Sequence, residues 1–267
     1  MTWLPDLTPT LAFDIETVPD IAGLRLLHGL EASVSDRDVA EFAFSRRRAS
    51  SGNDFLPLHL HRVVAIACAL REGEGFRVWS LGAPGDGEDE LIRRFFDGIE
   101  KYTPQLVSWN GGGFDLPVMH YRALVHGLCG ARYWDMGEDD RDFRFNNYIN
   151  RYHTRHLDLM DLLALYQPRA YAPLDDMAKL CGFPGKLGMD GSEVWNAWIE
   201  GGIERIRSYC ETDAANTYLM FLRVQCLRGA LDKNRYDSEC ALVRSTLERS
   251  GDAHWREFLD AWPGASS

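Results

Sequence analysis

None of the apolar runs in this 267-residue chain approaches the length a bilayer-spanning helix needs, so no membrane segment is expected. Cysteine is sparse. The six residues at 68, 129, 181, 210, 226 and 240 show neither CxxC pairs nor the cadence of a disulfide framework, which points to a reducing cytoplasm. His153 and His156 form no zinc pattern with those distant cysteines. Met1 to Asp6 lacks the basic start and apolar stretch of a secretory signal, so no export is expected from this end. Internal repeats and low-complexity tracts are missing too. Positive charge is in deficit: 29 Lys and Arg stand against 40 Asp and Glu, a formal charge of -11. That balance argues against a protein that coats nucleic acid by bulk electrostatics. It leaves room for an enzyme that touches a few phosphates through a cation held by carboxylates. Arg46, Arg47, Arg48, Arg62, Arg141, Arg144, Arg151 and Arg155 offer a basic rim, although most such side chains simply solvate loops.

What is present fits one α/β domain with elaborations. Leu11 to Phe13 reads as a buried strand, and residues 61–70 and 76–80 read as a hairpin about the turn at 71–75. Between them, residues 31–57 are charged and serine-rich and read as a mobile excursion or short-helix insert. Residues 88–101 carry Leu91, Ile92, Phe95, Phe96 and Ile99 at helical spacing. Leu106 to Trp109 is the next buried strand. A helix should begin near Asp115, with Pro117 in its first turn and Val118, Tyr121 and Leu124 inward. Residues 127–155 show poor periodicity. Short helices are expected near 174–181 and 192–198, a long one over 202–227, and a packed helical extension over 232–267. The order predicts an α/β fold with a mixed sheet flanked by helices.

Three places carry candidate chemistry. Asp14 and Glu16 close the first strand; period two puts both carboxylates on one side, where they ask for a cation. A strand end meeting a solvated turn is the plain alternative. Asn110-Gly111-Gly112-Gly113 then breaks a core strand before Phe114 and Asp115, at the kind of strand end where open α/β sheets hold ligands. Asp115 also reads as an ordinary helix cap. A dinucleotide loop is disfavoured, because GxGxxG would need glycine where Leu116 stands. In the late helix, Tyr209 and Asp213 lie one turn apart on one face; taken singly they read as a boundary tyrosine beside a surface Asp. Trp109, Phe114 and Tyr148 are candidates to stack a base, Trp109 being better suited to the core. Cys210 reads as a small buried residue, since no base is placed to activate it.

The joint pattern resembles the DEDD superfamily of 3'-5' exonucleases in its tyrosine subclass, and most closely the predicted exonuclease domain related to that of family B DNA polymerases. Phe13-Asp14-Ile15-Glu16-Thr17 is similar to the first motif, Trp109-Asn110 through Phe114-Asp115 to the second, and Tyr209 with Asp213 to the third, over about residues 10–228. The resemblance implies a ribonuclease H-like domain over 1–231. It implies Asp14, Glu16, Asp115 and Asp213 as metal ligands, Tyr209 as the catalytic tyrosine, and Asn110 and Phe114 as possible substrate contacts. His156 to Leu159 is similar to a supporting segment, with Asp158 outside the catalytic four. Two Mg²⁺ or Mn²⁺ ions are the expected cofactors, and single-stranded nucleic acid with a free 3' end, DNA first, the expected partner. Two alternatives stand beside this: a metal-dependent phosphoesterase on nucleotides or short oligonucleotides, and a non-catalytic nucleic-acid-binding module.

Overall fold

The computed structural model describes residues 8–262. Among the described residues, one sheet of five strands runs in the order β3-β2-β1-β4-β5. Its strands are β1 (Thr10–Pro19), β2 (His61–Glu72), β3 (Gly75–Ser80), β4 (Gln105–Ser108) and β5 (His156–Asp158). The first three are antiparallel neighbours, whereas β4 is parallel to both β1 and β5. The fold is therefore the mixed α/β sheet flanked by helices that the sequence predicts, consistent with ribonuclease H-like architecture.

Alternation along β1 divides the core. Leu11, Phe13 and Ile15 pack into a bulky cluster with α3 (Glu88–Tyr102) and α4 (Asp115–His126). Ala12 and Val18 belong to the opposite cluster, built on α9 (Ile203–Leu227), so the intervening Asp14 and Glu16 face α9. Their partners on β2 are Ala67 and Ala65, whose small side chains leave the carboxylates room. A β-bulge follows at once, where the register shifts between Glu16 and Thr17. Helices α10 (Lys233–Ser250) and α11 (Ala253–Ala261) pack on α9, and α10 also meets the edge strand β3. There Arg71 of β2 and Tyr218 of α9 both reach Glu239.

Three expectations change. Residues 36–51 form α2, a sixteen-residue helix capped by the Ser35 side chain and ended at Gly52, longer and more regular than the mobile excursion or short-helix insert expected there. Val39 and Ala43, one turn apart, pack it on Leu24 of α1 (Ile21–His28) and on Leu56 and Leu60, a small core of its own. In α4, Val118 is buried, but Tyr121 and Leu124 are 46% and 79% exposed. The inward position goes instead to Arg122, which reaches Asp20 and Glu88. Tyr148 is no base-stacking residue: it is buried, stacked on Tyr133, with its hydroxyl donating to the Pro104 carbonyl.

Candidate active site

Past Ala12 the pairing of β1 with the short strand β4 ends, which leaves the Ile15 N–H without a strand partner on that side. Asp115, at the start of α4, takes it up through Oδ1 at 3.2 Å. The loop between β4 and α4 makes this reach possible. Asn110 turns with φ +68°, and the two Asp158 oxygens accept from the Asn110 and Gly112 N–H groups at 3.0 and 2.8 Å. Gly111 has no space for a side chain: a Cβ there would stand 2.3 Å from Ser108 Oγ. Ser108 is itself fixed by a 2.8 Å bond to His156, a buried histidine whose pKa burial lowers to about 4. Asp158 is thus the organiser of the loop, and it also caps α6 (Leu159–Leu163).

On the α9 side, Tyr209 and Asp213 are both buried and act on each other electrostatically, and the Tyr209 hydroxyl and Asp213 Oδ1 have no well-formed hydrogen bond to any described residue. A buried polar atom without a partner costs free energy, and such atoms gather where a ligand supplies the missing contact. The ligand atoms of Asp14, Glu16 and Cys210 lie within 4.8 Å of one another. Asp115 and Asp213 stand outside that tight group, close enough for their charges to act on Asp14 and Glu16. Burial first, and then mutual repulsion, pushes Asp14 and Glu16 well above the usual carboxylate range. Burial likewise raises Asp115 to about 7 and Asp213 to about 6. The Tyr209 phenol is driven far up by burial and by the neighbouring carboxylates, so it stays neutral.

Two neighbours add to the site: Cys210, buried as the sequence suggests, in a role the sequence does not give, and Lys186, which the sequence reading missed. Cys210, next to Tyr209, directs its thiol at the Asp14 carbonyl at 3.3 Å and at Asp14 Oδ2 at 3.6 Å. Burial and the carboxylates raise its pKa, so it remains a thiol donor that braces Asp14. Lys186 is the second. Its Nζ lies 3.7 Å from Asp213 Oδ2 and 5.2 Å from the centre of the Tyr209 ring. Asn216 on α9 clasps Gly185 through both of its amide atoms, and Asp175 on α7 (Leu174–Leu180) accepts from the Lys186 N–H. The one available signal was Gly185: its φ is +68°, and a Cβ would stand 2.5 Å from Asp175 Oδ1.

The expected basic rim largely dissolves into structural contacts. Arg48 bridges Glu41 and Asp54, Arg151 pairs with Asp161, Arg155 donates to the Asn146 carbonyl, and Arg62 lies over Trp198. Phe114 meets His61 edge-on at the mouth of a cleft that reaches Glu16. Asn110 does not line that cleft.

The family described as a predicted 3'-5' exonuclease related to the exonuclease domain of PolB matches residues 53–262. The chain belongs to this family. The matched span holds Asp115, Tyr209 and Asp213, and Asp14 and Glu16 precede it. A DNA polymerase of Archaeoglobus fulgidus is 25% identical over 136 residues, half of this chain and 17% of the polymerase, so the likeness spans a small part of that enzyme. Among the described residues no helix is long and apolar enough to cross a membrane.

Proposed function

We propose that this member of the exonuclease family is a metal-dependent 3'-5' exonuclease of the tyrosine subclass, acting on single-stranded nucleic acid, DNA first, by a two-metal-ion mechanism. The observation that carries the reading is a charge imbalance: Asp14, Glu16, Asp115 and Asp213 act on one another from β1, α4 and α9, with Lys186 as the cation acting on three of them. Oxygen donors crowded beyond what their own protein neutralises fit hard divalent cations such as Mg²⁺ or Mn²⁺. Asp14, Glu16, Asp115 and Asp213 would hold two such ions, and once bound these would supply Lewis-acid activation of water and neutralise charge at the phosphate.

The protein's own groups do the positioning. Tyr209, neutral and buried without a partner, offers its hydroxyl to orient the attacking water. Lys186 keeps Asp213 ionisable by offsetting part of the burial penalty. Cys210 braces the Asp14 main chain. The exonuclease domain is assigned to residues 1–231 and a helical extension packed on it to 232–267, residues 1–7 and 263–267 of these spans lying outside the described residues. The six free cysteines support a cytoplasmic setting.

The test uses 5'-labelled single-stranded DNA and matched RNA with Mg²⁺, Mn²⁺ or EDTA, comparing the wild type with Asp14→Asn. A ladder shortened from the 3' end, dependent on metal and missing in the variant, is expected. No cleavage of either polymer would overturn the reading in favour of a small phosphoester substrate or a binding module.

A further inference from the structure

A cleft of about 760 Å³ opens beside Glu16, within the about 300–1,000 Å³ typical of ligand sites. Its floor is the end of β1, from Glu16 to Pro19, and its outer wall is α2. A second cavity of about 400 Å³ continues from it, sharing Val18, Pro19, Arg37 and Trp195 and ending at Arg62 and Trp198. The two, joined by these shared residues, make one groove that starts at Glu16, the member of the carboxylate cluster that lines it. Phe114 and Phe55 flank the near end with ring centroids 5.7 Å apart. His61 holds both rings. Its Nε2 donates to the Leu56 carbonyl, which leaves Nδ1 to accept from the Thr17 hydroxyl, and its ring lies 5.0 Å from Phe55 and 5.2 Å from Phe114. Phe55 is nevertheless 52% exposed, an aromatic face supported from behind and open in front.

Charge along the groove is selective. Arg48 is consumed by Glu41 and Asp54, Asp38 accepts from the Ser35 hydroxyl, and Asp36 is paired with Arg25. Arg37 lines both cavities and makes no ion pair with a described residue. Aromatic faces that alternate with single arginines along a groove are the pattern that binds an unpaired strand, bases on rings and phosphates on guanidinium groups. The surrounding acids exclude strong bulk attraction, so affinity there has to come from stacking and from few phosphate contacts.

We propose that this groove seats the last unpaired nucleotides of a single strand, with Phe55 stacking a base, Arg37 meeting a phosphate, and α2 as the wall that keeps a second strand out. The assignment rests on the exonuclease reading for the strand's polarity. It adds a binding element, α2, that lies outside the span matched by the family.

The test is fluorescence anisotropy with a 5'-fluorescein-labelled oligothymidylate whose 3'-terminal linkages are phosphorothioates, with Ca²⁺ as the metal, together with hydrolysis of the unmodified oligomer in Mn²⁺. Phe55→Ala should weaken binding about 5- to 150-fold, the range for one lost base stack. Arg37→Ala should weaken it and reduce the slope of log K against log salt by about 0.7, the share of one phosphate contact on a single strand. A blunt hairpin carrying the same 3' strand should bind more weakly than the single strand. Binding by both variants equal to the wild type, with unchanged melting temperature, overturns the groove, as does equal binding of the blunt hairpin. Loss of binding in the variants without hydrolysis by the wild type overturns the exonuclease reading and leaves the groove standing, whereas hydrolysis with unaffected variants does the reverse.

Discussion

Two charge clusters share the region around β1 and α4, and they are built on opposite terms. In one, Arg122 lies between Asp20 and Glu88, and Glu88 also accepts from His126 and from the Val63 N–H. In the other, Asp14, Glu16, Asp115 and Asp213 face Lys186, and the Tyr209 hydroxyl and Asp213 Oδ1 are left without partners. The first is closed: its charges are spent on tying α1, α3 and α4 together. The second is open, with a surplus of negative charge that the described residues leave unbalanced. Buried ionic groups that stabilise a fold come with their counter-ions, and a cluster that lacks them marks chemistry.

The contrast breaks most completely at Asp14. Asp14→Asn should reduce metal-dependent hydrolysis to background while raising the melting temperature in EDTA, because one repelling charge is gone; retained turnover at low Mn²⁺ would contradict the assignment. Arg122→Met is the mirror case, expected to cost about 3–5 kcal/mol in urea unfolding by stranding two buried carboxylates. Its hydrolysis rate, measured well below the transition, should change little. Tyr209→Phe should slow turnover by about 10- to 1000-fold, the scale of a lost positioning or proton-transfer group. Its stability should hold, since the hydroxyl gives up no well-formed hydrogen bond to a described residue.

Acidity sharpens the comparison further. Raised carboxyl pKa values mean that the folded open cluster retains protons the unfolded chain releases. That stabilisation is complete below the ordinary Asp value of 3.8 and is lost as pH climbs through about 6 for Asp213 and about 7 for Asp115. Mn²⁺ replaces the protons, so the melting-temperature gain from Mn²⁺ over EDTA should widen from pH 5 to pH 8 in the wild type. A constant gain would refute the electrostatic account. The smallest effect belongs to Lys186→Met. Without the ammonium 3.7 Å away, Asp213 should titrate above its present value of about 6, followed by NMR of its carboxyl carbon.

Much of the fold was legible because β1 and β2 hold bounded apolar runs and α3 carries a clean helical stripe, and the period-two step from Asp14 to Glu16 assigns both to one face. Legibility failed where side chains bond to nearby main chain instead of following a stripe. Residues 127–155 are organised this way. Asp135 gathers the N–H groups of Gly137, Glu138 and Asp140, and Asn146 those of Thr154 and Arg155, bonds that leave no hydrophobic rhythm. Helix α2 was hidden for a different reason: its apolar face is narrow, and three successive arginines mask it. Lys186 was hidden by distance, since only the clasp of Asn216 on Gly185 brings residue 186 to residue 213.

The tight turn at Gly111 limits how this sequence can drift. A Cβ at 111 would meet both Oγ and Cβ of Ser108, at 2.3 and 2.5 Å, so even alanine at 108 gives no relief and only a second glycine would. That exchange strips His156 of its hydroxyl partner, leaving a buried, neutral ring nitrogen unbonded. Every single-step path away from Gly111 therefore crosses a destabilised intermediate. Lineages descended from this chain should keep Gly111, Ser108 and His156 as one inherited unit or exchange the whole loop at once.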